Sequence, residues 1–213
     1  MRVDVITLHA VQNYGSVLQA LATQKLLEKH GCEVKIINYI REDVRYKNIL
    51  QARSNGNIIK KIVLYPNVKK WKKVFKGFCN EYLNLTDRSY TTENDFKDYP
   101  LDADMFCTGS DQVWNSKWNQ GIISPLYLSF VPEDKFRFSL AASFGQDKLS
   151  QDEVKATKKY IEKYNCISVR ESSGKKIIEQ QYKYSYAEHI IDPTLMLDDD
   201  EWRKFANNKK TTE

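Results

Sequence analysis

The sequence predicts an α/β protein, a parallel sheet flanked by helices, and three observations predict it. Residues 3–8 form an apolar, β-branched run that reads as a central strand. Val17, Leu18, Leu21, Ala22 and Leu26 then recur at helical spacing, and Gly31 follows where a helix end takes a left-handed residue. Residues 33–39 give a second strand-like run. Strand, helix and strand in so short a stretch imply parallel pairing through a right-handed crossover.

The later elements follow the same alternation. Residues 41–100 are polar, tyrosine-rich and basic, with Pro66 and Pro100 as breaks. They read as an irregular, partly helical insertion: one or two amphipathic helices, then a surface excursion. Strands resume at 103–108 and 137–142. Ser150 and Glu153 have the spacing of a capping box and open a helix to about Tyr164. A strand at 166–169, a helix from Ser172 to about Tyr182 and a short strand at 189–191 lead to Asp192-Pro193. A last helix begins near Asp199 and ends in a polar tail. Residues 1–198 are thus expected to form one Rossmann-like lobe, and 199–213 a terminal helix and tail.

A chain of 213 residues suffices for one good-sized domain, or for a domain with an appended piece. Hydrophobic residues at 41% and charged residues at 29% exclude fibrous and disordered classes. No apolar run approaches the roughly 20 residues of a bilayer span, and no signal-type apolar segment precedes the first strand. A cytoplasmic location is expected. Cys32, Cys79, Cys107 and Cys166 are far apart, without CxxC spacing, and read as reduced structural thiols, with Cys107 and Cys166 inside apolar strands. His9, His30 and His189 show no metal-ligand spacing, so no metal site is expected.

The net charge of +5 is local in origin. Lysines 60, 61, 69, 70, 72, 73 and 76 give residues 58–78 a charge of +7 with no acid, leaving −2 for the rest. Such a run is either a solvated helix face or, with Ile62, Val63, Trp71 and Phe75 interleaved, a surface helix for an anionic membrane. No nucleic-acid motif accompanies it.

The chemistry-bearing residues gather at strand ends, where open α/β sheets bind ligands. Residues 103–108 run into Gly109-Ser110-Asp111-Gln112-Val113-Trp114-Asn115. Asp111 is placed for general-base work on a hydroxyl, and Trp114 for stacking on a sugar. An Asx-turn and core packing are the alternatives. Between strand one and helix one, Gly15 allows close backbone approach, while Asn13 and Ser16 add donors at a helix N-terminus. A helix cap explains them too. The missing GxGxxG and Walker lysine exclude dinucleotide and P-loop sites. The small residues 141–145, with Ser143, admit either a neighbouring loop or a ligand. Arg170 suits an anion clamp or a pair with Glu171. Asp192 reads as a turn cap before a catalyst.

Residues 13–20, 109–115, 141–145, 168–171 and 192–194, in that order, resemble the polysaccharide pyruvyl transferase family. The resemblance implies the N-terminal lobe of a GT-B-like, two-lobe enzyme. It implies transfer of the enolpyruvyl unit of phosphoenolpyruvate to sugar hydroxyls of a cell-surface polysaccharide precursor, a sugar or lipid-linked oligosaccharide. That scheme needs a base, an acid for the methylene carbon and cations for the donor, but no cofactor or metal. The expected site is Asp111 as base, with Asn13, Tyr14, Gly15, Ser16, Gly109, Ser110, Gln112, Trp114, Asn115, Ser143 and Arg170 binding substrate. The donor-gripping arginine and histidine are expected in a second lobe, so this chain alone is expected to turn over little. A glycosyltransferase lobe using a nucleotide sugar, or a non-catalytic binding module, are the other readings.

Overall fold

The computed structural model describes residues 1–44 and 46–206; the expected tail at 207–213 lies outside the described residues. Five strands, β1 (Arg2–Ile6), β2 (Glu33–Tyr39), β3 (Leu85–Tyr90), β4 (Met105–Thr108) and β5 (Phe136–Ser139), form one sheet in the order β3-β2-β1-β4-β5. Every neighbouring pair is parallel, the pattern of a Rossmann-like fold. A short parallel pair, β6 (Ser168–Val169) and β7 (Glu188–His189), attaches beside β5 through single bridges from Phe138 to Cys166 and from Ala142 to Val169.

The helices are α1 (Tyr14–Lys29), α2 (Tyr46–Ser54), α3 (Ile58–Tyr82), α4 (Glu93–Asp98), α5 (Gln151–Ile161), α6 (Ser172–Lys176) and α7 (Asp199–Phe205). Strand pleating sends alternate side chains to two separate apolar layers. Val3 and Val5 of β1 pack with Val17 and Leu21 of α1 and Phe75 of α3. Ile6 packs on the other side with Ile37, Phe106 and Trp114. Asp4, fully buried mid-strand, is tolerated because Arg2 grips it at 2.9 and 3.1 Å.

Several expected elements are corrected. The first strand stops at Ile6, and the strand expected at 137–142 is β5, ending at Ser139. The region 41–100 contains an edge strand, β3, whose Leu-Thr-Asp-Arg-Ser-Tyr sequence looks like loop because only Thr86 and Tyr90 are buried. Pro66 lies inside the 25-residue α3 rather than ending it; it faces solvent, where water can satisfy the carbonyl it frees. Ser150 does cap α5, accepting the Glu153 amide at 3.1 Å, but the reciprocal Glu153 bond is not made, and Thr92 and Asp95 form a complete capping box on α4. Cys107 is buried, whereas Cys166 precedes β6 and is exposed.

Candidate functional site

Ile6 pairs with Thr108, so β1 and β4 end at the same level of the sheet. The chain leaving β1 heads through α1 toward β2, while the chain leaving β4 heads the other way, toward β5. Strand order reverses here, and such a reversal opens a crevice beyond the strand ends. A cleft of about 200 Å³ occupies it, lined by Asn13, Gly15, Ser16, Gln19, Asp111, Gln112, Trp118, Arg170, Asp192 and Thr194.

Asp111 stands between the two strand ends. Its φ of +84° is left-handed, a conformation unusual outside glycine that aspartate tolerates by local hydrogen bonding. Oδ1 accepts the Gln112 amide at 2.7 Å, and Oδ2 accepts the Ser16 hydroxyl at 2.5 Å. Its carbonyl accepts the Ser143 amide at 3.1 Å, tying the loop to the chain beyond β5. Each carboxylate oxygen has two lone pairs, so both retain capacity for a further proton or donor. Asn13 caps α1 by accepting the Ser16 amide at 3.3 Å.

Arg170, at the end of β6, donates to Asp192 at 2.8 Å and to Glu171 at 3.2 Å. Burial works against its charge, but these two partners outweigh it and hold its pKa above the ordinary value. Burial likewise works against the Asp192 carboxylate, yet bonds from Arg170, Thr194 and Ser110 hold its pKa below the usual range. Asp192 therefore both caps its turn, taking the Thr194 amide at 2.9 Å, and fixes the guanidinium. The five segments singled out in the sequence thus meet around one cleft or directly behind it.

The family model for polysaccharide pyruvyl transferase matches residues 13–212, nearly the whole chain. The chain belongs to that family. No curated protein and no solved structure matches it.

Within this pyruvyl transferase fold, some predicted site residues serve as frame. Trp114 is fully buried, its indole N–H donating to the Leu126 carbonyl at 3.2 Å and its ring stacked on Tyr127, so it cannot stack on a sugar. The indole in the cleft is Trp118, 44% exposed, with the Arg41 guanidinium 4.8 Å from its ring centre. Gly109 is needed for packing, since a Cβ there would lie 3.1 Å from Thr7 and 3.3 Å from Val5. Ser110 is buried and reaches Asp192 from behind at 2.9 Å. Asn115 braces the loop, donating to Gln112 Oε1 at 2.6 Å. Buried Ser143 donates to Glu171 at 2.7 Å. Gly145, with φ +55°, leaves only 2.5 Å between a built Cβ and Asn115 Nδ2, so the small residues 141–145 admit the neighbouring loop.

Tyr14 turns away from the cleft and packs on Trp71 and Phe75 of α3, with ring centres 6.1 and 5.2 Å apart. It lines an adjoining groove with Gln12, Asn13, Arg53, Trp71 and Phe75, and Asn13 belongs to both groove and cleft. The sequence reading missed Gln19, Trp118 and Thr194. Gln19 had a signal: one turn beyond Ser16 on α1, it donates to Thr7 Oγ1 at 2.9 Å and to the Ser16 carbonyl at 2.8 Å. Among the described residues no cluster of three His, Cys, Asp or Glu side chains could hold a metal ion. No described helix is long and apolar enough to cross a membrane.

Proposed function

We propose that this cleft holds the acceptor sugar of a pyruvyl transfer from phosphoenolpyruvate, and that Asp111 takes the proton of the attacking hydroxyl. The observation that carries the reading is the carboxylate fixed by Ser16 and Gln112 at the β1–β4 reversal. The hydroxyl oxygen bonds to C2 of the donor while the methylene carbon gains a proton and becomes a methyl group. A second hydroxyl then closes on C2, loses its proton, and inorganic phosphate departs with the C2–O bond electrons. The product is a cyclic ketal, and no cofactor enters the scheme.

The cleft's charges favour the acceptor side. Asp111 and Asp192 face a single Arg170, itself already bonded to Asp192 and Glu171. That balance suits hydroxyls of a neutral sugar better than a multiply charged donor, whose phosphate and carboxylate need cations from outside this cleft. The exposed Tyr14 ring beside Trp71 offers a face for a further sugar of an oligosaccharide. A lipid-linked acceptor fits α3, where Ile58, Ile59, Ile62 and Val63 are each about 70% exposed beside Lys60 and Lys61. This pattern suits the surface of an anionic membrane.

The test is phosphate release from phosphoenolpyruvate by the full natural protein, with and without a lipid-linked oligosaccharide fraction. Acceptor-dependent release is expected. Silence in both conditions would overturn the reading.

A further inference from the structure

Among the described residues that line the Asp111 cleft, Trp118 alone is aromatic, and the rest are polar, charged or glycine. The turn that carries it is locked at several points. The Trp118 amide donates to Asn115 Oδ1 at 3.1 Å, and the Asn119 side-chain amide donates to the Val113 carbonyl at 3.0 Å. Arg41, just past the end of β2, secures the same turn through its guanidinium. Nη1 donates to Asn119 Oδ1 at 2.6 Å, while Nε and Nη2 donate to Asp43 at 3.0 and 2.8 Å. The guanidinium carbon lies 4.8 Å from the centre of the Trp118 ring. Arg41 is buried, so its fork is committed to these partners rather than to solvent.

A pyranose ring carries hydroxyls around its rim and C–H bonds on its faces. One indole set among polar groups is complementary to that pattern: the sugar face stacks on the ring, and the rim finds hydrogen-bonding partners. We propose that Trp118 is the stacking platform for the acceptor pyranose, and that Arg41 is the positioning residue that holds the indole at the cleft wall. The proposal rests on the reading of this cleft as the acceptor site. Arginine suits the task because its planar fork grips Asp43 and Asn119 together while its flat cation packs on an aromatic ring. Lysine keeps the charge but loses that geometry.

The first readout is acceptor-dependent phosphate release by the full natural protein as the lipid-linked oligosaccharide fraction is varied. Trp118→Ala should raise the acceptor KM about tenfold, with kcat within about twofold and the phosphoenolpyruvate KM unchanged, and Trp118→Phe should recover part of the loss. Arg41→Lys should raise the acceptor KM about threefold. A merely structural role would lower its Tm and leave that KM at the wild-type value. The second readout is tryptophan emission while the water-soluble oligosaccharide, freed from the same fraction by mild acid, is titrated in. A saturable change in the wild type, lost in Trp118→Phe, is expected. That outcome without any phosphate release would leave the platform standing and remove the transferase reading. An acceptor KM unmoved in Trp118→Ala, or an emission change absent from the wild type or equal in both proteins, would overturn the platform. A wild-type acceptor KM in Arg41→Lys would overturn the positioning role.

Discussion

The Ser16 hydroxyl donates to Asp111 Oδ2 at 2.5 Å, joining the first turn of α1 to the loop after β4. The two residues are 95 positions apart in sequence, and only the parallel pairing of β1 with β4 brings them together. Ser16→Ala removes one of the two bonds that orient the carboxylate. We expect kcat to fall about tenfold, with little change in KM, and stability to fall by about 1–2 kcal/mol. Ser16→Thr, which keeps the hydroxyl, should restore part of the rate. Steady-state kinetics of the three proteins checks this.

Gly145 shows what holds the 109–115 loop against the chain beyond β5. Alanine there meets both a left-handed φ of +55° and Asn115 Nδ2 at 2.5 Å. The expected loss is about 2–3 kcal/mol, or roughly 4–12 °C in Tm for a chain of this size. Gly31→Ala is the control. Its φ is also left-handed, at +80°, but a Cβ would meet nothing within 4 Å. It should cost only the backbone part, about 1–2 kcal/mol. Thermal melts of both variants separate the two contributions.

His9 gives the fold a pH dependence. Burial lowers its pKa below the ordinary histidine value of about 6.5, against weaker opposition from Asn38 and the Thr7 carbonyl. The folded state therefore binds fewer protons than the unfolded chain. Its contribution is fully present above about pH 6.5 and is lost as pH falls through the lower folded pKa. His30 and His189 are exposed. Denaturation midpoints between pH 7.5 and 5 should decline in the wild type, and His9→Gln should flatten that decline.

The parts of this molecule that were legible in the sequence are those where local pattern and tertiary role agree. Val3, Val5 and Ile6 alternate, Val17 and Leu21 share a helix face, and β1, α1 and β2 follow from them. That Asp111, Ser16 and Arg170 would line one cleft was legible because polar groups cluster at strand ends. Trp114 and Trp118 were not distinguishable on the same ground. Both indoles lie in one polar stretch four residues apart, yet Trp114 is fully buried and Trp118 is 44% exposed. β3 was illegible because an edge strand here buries only Thr86 and Tyr90 of six residues. The double duty of Asp192, as cap and as partner of Arg170, depends on β6 and β7 pairing, which two-residue strands do not announce.

For Asp111 as the base that takes the hydroxyl proton, its own backbone supplies a clean test. Glycine accepts a φ of +84° without strain, so Asp111→Gly removes the carboxylate while leaving the turn intact. The measurement is acceptor-dependent phosphate release from phosphoenolpyruvate by the full natural protein and its Asp111→Gly variant, with Tm recorded for both. We expect a variant that still unfolds cooperatively, its Tm lowered by about 2–8 °C through loss of the Ser16 and Gln112 bonds, and a rate lower by about 10²–10⁴. A glycine variant that turns over at the wild-type rate would contradict the role of Asp111 as base.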